Sequence, residues 1–104
     1  MKRGEIWWAQ LAAPAGRRPV ILLSRNAAYT VRTSVTVAPL TTTIRNIPVE
    51  VRLGPRHGVP RECVVNLDEV QTIPKDRLLR VLTALSPQTL TQVDQALRFA
   101  LGLG

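Results

Sequence analysis

Few side chains in this 104-residue sequence belong to types that do chemistry, and their spacing removes most familiar devices. There is no glycine-rich phosphate loop and no His-Glu-x-x-His helix, and the single cysteine, Cys63, has only one histidine to pair with. Asp68 and Glu69 are the one adjacent pair of carboxylates. Read as strand residues they face opposite ways and make a poor chelate, so the expectation is chemistry with no metal and no cofactor. His57 is the side chain best suited to proton transfer near neutral pH, and it sits between Arg56 and Arg61 in a stretch rich in glycine and proline. It reads as an exposed loop histidine ahead of a general base. Cys63, at the start of an apolar segment, reads as a small buried thiol.

The segment Ala38–Pro48 (APLTTTIRNIP) carries more. Three hydroxyls, then Arg45 and Asn46, follow a strand whose regular pairing Pro39 is expected to prevent, which gives the segment the character of a binding loop. If the strands entering at Pro19 and leaving at Ala38 are antiparallel neighbours, the start of one lies beside the end of the other, and Arg18 meets Thr41 on one rim. A guanidinium offers a planar fork of donors to the nonbridging oxygens of a phosphodiester, and a threonine hydroxyl adds a further donor as charge builds on phosphorus. With RNA the 2′-hydroxyl is a built-in nucleophile, so positioning and charge stabilisation can supply much of the acceleration. DNA lacks that nucleophile.

These residues need a scaffold, and the patterning is mainly that of strands. Glu5–Leu11, with Trp7 and Trp8 on opposite faces, is a first strand. Pro19–Ser24 (PVILLS) is a continuous apolar run typical of a strand covered on both faces. Ser34–Ala38 and Val49–Leu53 alternate as half-buried strands do, and Glu62–Leu67, Glu69–Ile73 and Leu79–Leu85 are further short strands. Ala12–Arg17 and Gly54–Pro60 are loops by their prolines and glycines, and Pro74–Arg77 is a turn or a single helical turn. One helix closes the chain, with Ser86 as N-cap, Pro87 in the first position, Leu90, Val93, Leu97 and Leu101 on one face, and Gly102 as its stop. The expected fold is mainly β with a C-terminal helix: a small, strongly curved antiparallel barrel of the SH3-like kind.

Length supports a single domain over residues 1–104, and 45% apolar content suffices for one modest core. One cysteine rules out an internal disulfide framework and fits a reducing compartment, with the cytoplasm as the default. No apolar run approaches the roughly 20 residues that span a bilayer, so no membrane is expected. Lysine plus arginine number 14 against 7 acids, a net charge of +7, and 12 of the 14 are arginine. That charge points to a polyanion or an acidic protein as partner.

Arg3-Gly4-Glu5-Ile6-Trp7, Arg18-Pro19-Val20, Val37-Ala38-Pro39-Leu40-Thr41 and Asp68-Glu69-Val70-Gln71-Thr72-Ile73 with Arg77-Leu78, in that order, resemble the MazF/PemK family of toxin-antitoxin systems. The resemblance covers nearly the whole chain. It implies a MazF/CcdB-like fold and a cytoplasmic, metal-independent endoribonuclease that cuts single-stranded messenger RNA, leaving 2′,3′-cyclic phosphate and 5′-hydroxyl ends. It assigns the catalytic pair to Arg18 and Thr41. Arg18 ranks first as a phosphate clamp, since a guanidinium is a reluctant base, and the base is left unassigned. The family also implies a homodimer and a cognate acidic antitoxin that competes for the RNA groove.

Arg17, Thr42, Arg45 and Asn46 flank the pair in sequence and are the candidate RNA contacts, with Asn46 as reader of a base edge. Arg25 lies too far along its strand to join them in one subunit. Many relatives carry a longer first loop with a Gly-Ser-Glu element over the active site, whereas here only the six residues Ala12–Arg17 join Leu11 to Arg18, which puts a lid from that loop in doubt. Of Trp7 and Trp8, one is expected in the core and the other at a dimer surface, with stacking on an RNA base as the alternative. The rival function is a barrel that binds nucleic acid or protein without cutting, as CcdB-type gyrase poisons do on this fold.

Overall fold

The computed structural model describes residues 1–104. Seven strands form one antiparallel sheet: β1 (Glu5–Gln10), β2 (Arg17–Leu22), β3 (Ser34–Thr41), β4 (Glu50–Leu53), β5 (Cys63–Asn66), β6 (Gln71–Pro74) and β7 (Leu78–Ala84). Their order is β4-β5-β3-β2-β1-β7, with β6 also paired to β3. The sheet is strongly curved, as expected, yet its ends at β4 and β7 do not pair, so hydrogen bonds do not close the barrel. Register shifts between Ile6 and Trp7 and between Trp8 and Ala9 in the β1–β7 ladder bend it.

Val20, Ile21 and Leu22 on β2 are completely buried because the sheet has a core on each face. One core joins Ile6, Ile21, Ala38 and Leu40 to Val93 and Ala96 of the terminal helix α2 (Pro87–Leu101). The other gathers Ala9, Val20, Leu22, Val37 and Ile73, with Tyr29 from a one-turn helix α1 (Ala28–Val31) that periodicity did not anticipate. Helix α2 is capped as its sequence implies. Ser86 Oγ accepts from Thr89 N at 3.2 Å, and Gly102 (φ 70°) ends the helix while Leu103 N donates to Arg98 O at 2.8 Å. The buried stripe is Thr89, Val93 and Ala96, with Leu90 and Leu97 half-buried. Leu101, assigned to that face from spacing, is exposed because it lies in the last turn, beyond the sheet. Arg3 pins the helix by donating to Asp94 Oδ1 (2.7 Å) and to Leu23 O (3.0 Å). No helix is long and apolar enough to cross a membrane.

Two boundaries depart from expectation for physical reasons. Pro39 does not interrupt its strand: β3 runs on to Thr41, and Pro39 pairs with Val20. On its other side β3 meets β6 up to Val37↔Gln71 and β5 from Leu40↔Val65, so the missing N–H falls where the ladder changes strands. Asp68 and Glu69 lie in a 3₁₀ turn, Leu67–Glu69, instead of strands, because Asn66 Oδ1 accepts from Asp68 N at 2.9 Å and caps that turn. The remaining strand limits shift by one or two residues, as helix and strand ends commonly do.

The β4–β5 loop turns through a 3₁₀ turn, Pro55–His57, into Gly58 at φ 90°, a left-handed conformation in which a Cβ would also collide with the Thr83 side chain. Gly58→Ala is expected to lower unfolding free energy by about 1–3 kcal/mol. Denaturant titration of Gly58→Ala with and without Thr83→Ala should show that removing Thr83 returns only the steric part of that loss.

Candidate active site

Arg17 and Arg18 open β2, and Thr41 closes β3. The ladder pairs Leu22 with Val37, Ile21 with Ala38 and Val20 with Pro39. Carried two positions further, the same register sets Arg18 across from Thr41. Pro19 has no N–H to continue the pairing, so the two strand ends part and leave a rim.

A pocket of about 290 Å³ opens at that rim. Arg17, Arg18, Thr41 and Thr42 line it from the strand ends, Trp8 from β1, and Val59–Arg61 from the β4–β5 loop, over Leu40 and Cys63. Three guanidinium groups and no carboxylate or imidazole face this space. None of the three arginines is ion-paired, the two ion pairs of the molecule being Arg3–Asp94 and the terminal amine with Glu5. The pocket is therefore a basic cleft with an aromatic wall.

Local hydrogen bonds set the two central side chains. Arg18 Nε donates to Ala15 O at 3.3 Å, which leaves both Nη nitrogens for an anion. The acceptor belongs to the short first loop, itself closed by Leu11 N to Gly16 O at 2.9 Å. That loop thus orients Arg18. Thr41 Oγ1 accepts from Thr43 N at 3.2 Å, so its own proton remains available to donate outward. Cys63 is buried at 5% exposure, and desolvation, with Glu62 adding to it, pushes its thiol up from an ordinary value of 9.0. It is a packing group under the pocket.

Of the residues singled out from sequence, Arg18, Thr41, Arg17 and Thr42 come together here. Arg45 and Asn46 do not line the pocket; both are exposed, and their backbone N–H groups donate to Glu50 Oε1 at 3.0 Å each, which folds the β3–β4 loop back on β4. Asn46 takes φ 57° in that turn. His57 also lies outside: its Nδ1 accepts from Gly54 N at 3.1 Å, and it borders a different groove. Arg25 is in the turn beyond the far end of β2. Trp7 and Trp8 do face opposite ways, Trp7 against the second core with Nε1 donating to Glu5 Oε1, and Trp8 in the pocket. Among the lining residues that sequence reasoning did not place at the site, Trp8 and Arg61 are the two that can contact a nucleic acid through a ring or a charge. The register Trp8↔Pro19 follows from the length of the first loop, but nothing local to Arg61 points to the pocket.

A model of the family described as PemK-like, MazF-like toxin of type II toxin-antitoxin system matches residues 2–101. A probable endoribonuclease of Mycobacterium tuberculosis, MazF2, is 40% identical over 103 residues, covering 98% of this chain and 99% of that protein. Endoribonuclease EndoA of Bacillus subtilis is 30% identical over 111 residues, covering 99% and 96%. A solved structure of an endoribonuclease in complex with its cognate antitoxin from a mycobacterial species superposes with a TM-score of 0.90 at 34% identity, covering 100% of this chain and 97% of that one.

The raised Cys63 value gives a pH dependence with a definite sign. Folding favours the protonated thiol, so its contribution is fully present below the unfolded value and is lost as pH rises through the folded one. Wild type should therefore lose stability above about pH 9 more steeply than Cys63→Ala in denaturant titrations across that range. Iodoacetamide should label native Cys63 far more slowly than the unfolded chain.

Proposed function

The chain belongs to the PemK-like, MazF-like toxins of type II toxin-antitoxin systems, and on that premise we propose that it is a metal-independent endoribonuclease that cuts single-stranded messenger RNA in the cytoplasm and so arrests growth. The observation that carries this reading is the meeting of Arg18 and Thr41, from adjacent strands, at one basic pocket. The names of relatives such as MazF2, MazF5 and EndoA, each an endoribonuclease or a probable one, support cutting over the gyrase-poison alternative.

In this reading the scissile phosphate sits between Arg18 and Thr41. The Nη donors of Arg18 and the Thr41 hydroxyl take the nonbridging oxygens as charge grows on them. The 2′-oxygen attacks phosphorus, the bond to the 5′-oxygen breaks, and the 2′-proton is released as the leaving oxygen gains one. The products are a 2′,3′-cyclic phosphate and a 5′-hydroxyl. No conventional base lines the pocket, so the rate rests on in-line placement and charge stabilisation. Arg17, Thr42 and Arg61 hold adjoining phosphates, and Trp8 offers a ring for a neighbouring base. Arg45 and Asn46, exposed beyond Thr42, meet the strand outside the pocket.

The same basic surface suits an acidic antitoxin segment, and a solved relative carries its cognate antitoxin. A homodimer fits as well. β7 ends the sheet with one edge unpaired and exposes Leu79 (44%) and Val81 (51%), an apolar edge that a second subunit can cover.

With labelled RNA in excess chelator, wild type is expected to yield cyclic-phosphate ends. Arg18→Ala and Thr41→Ala should each lose on the order of 10²–10³-fold in rate with folding retained. His57→Ala should stay within a few-fold in rate; RNA that is bound yet left intact by wild type would sink the enzyme reading. Sedimentation velocity should show a dimer that Val81→Glu shifts to monomer.

A further inference from the structure

A second groove, of about 650 Å³, lies between β4 and α2. Arg52 of β4 and Arg56 of the 3₁₀ turn border it on one side. Gln92, Gln95 and Phe99 border it on the other, three and four residues apart and so on one stripe of α2. Neither arginine is ion-paired. Phe99 is 63% exposed and follows Ala96 by three residues, so its ring flanks the buried Thr89–Val93–Ala96 stripe and stands at its edge. His57, whose Nδ1 accepts from Gly54 N, keeps its Nε2–H as a donor on the same border. Glu50 is the one acid in the lining. Its charge is turned inward, with Oε1 taken by Arg45 N and Asn46 N and Oε2 shut off from solvent.

We propose that this groove is a second RNA subsite, holding nucleotides of the strand whose scissile phosphate occupies the active-site pocket. The chemistry matches single-stranded RNA piece by piece. Arginines take phosphates, the glutamine amides take base edges, and an exposed aromatic ring takes a base face. An acidic peptide would engage Arg52 and Arg56 but leave both amides and the ring without work. Continuity supports the same assignment. The one loop from Gly54 to Glu62 supplies Val59–Arg61 to the pocket wall and Arg56–His57 to the groove, and Arg52, Arg56 and His57 also line a further cleft whose one acid is Glu62, so the two sites share a single, mostly basic loop. The subsite rests on the reading of the chain as an RNA-cleaving enzyme.

The test compares a short RNA of about six nucleotides centred on a mapped cut site with the same RNA extended at either end by about eight adenosines. For wild type, extension at one end should raise kcat/KM by about tenfold. That long-to-short ratio should fall to near one in Arg52→Ala/Arg56→Ala and drop at least threefold in Phe99→Ala, with partial recovery in Arg52→Lys/Arg56→Lys. A 4-thiouridine in the extension should crosslink wild type within α2. An unchanged ratio in the double variant, or a crosslink elsewhere, overturns the subsite. So does a decaglutamate peptide whose binding the double variant abolishes while the ratio persists, which makes the groove a peptide site. Wild type cutting both RNAs equally defeats the subsite alone, whereas wild type cutting neither defeats the enzyme reading beneath it.

Discussion

The pairing of β2 with β3 is the constraint on which the rest depends. Val20, Ile21 and Leu22 are wholly buried, alternately in the two cores, and Val37 and Ala38 sit opposite them. Each such side chain stabilises the fold by about 1.5–3 kcal/mol relative to exposure. A slip of one residue along this ladder would send every one of them to the wrong face and would also part Arg18 from Thr41. The position of two polar groups at a solvent-filled rim is thus held by aliphatic residues behind them. The prolines mark its limits, Pro19 where β2 lets go of β3 and Pro39 where β3 trades β6 for β5.

Much of this was legible in the residues, and what was not has a physical reason. The continuous apolar run of β2, the capped terminal helix and the Arg18–Thr41 meeting all follow from local pattern plus one assumption about neighbouring strands. The one-turn α1 is too short to show a period, and Tyr29 holds it by burial in a core built from distant strands. Pro39 looked like a breaker because its neighbours on the far side are invisible from sequence. Arg45 and Asn46 follow the hydroxyl run directly, yet a single carboxylate at Glu50 bends them out of the pocket. Trp8 and Arg61 arrive from other parts of the chain. Long-range placement of this kind is carried by register and loop closure, which local composition does not encode.

The rim itself is held differently from the sheet beneath it. Arg18 leans on the Ala15 carbonyl and Thr41 on the Thr43 amide, while Glu50 gathers the next turn through two backbone N–H groups. The Arg18 and Thr41 tethers are one hydrogen bond each and the Glu50 tether two, and a single such bond is worth about 0.5–1.5 kcal/mol net, less than the summed burial that fixes the strands. The scaffold is stiff and the polar edge is adjustable.

Helix α2 fills the core that Ile6, Ile21 and Leu40 leave open on one face, and Arg3 near the start of the chain is tied to Asp94 within it. That helix follows every strand in the sequence, so the core closes only when segments 91 positions apart, those of Arg3 and Asp94, come together. Leu40, directly before Thr41, belongs to the core that the helix seals. Without α2 the rim that carries Arg18 and Thr41 would lack the finished floor beneath it, so a helix far along the sequence sets how firmly the polar edge is seated.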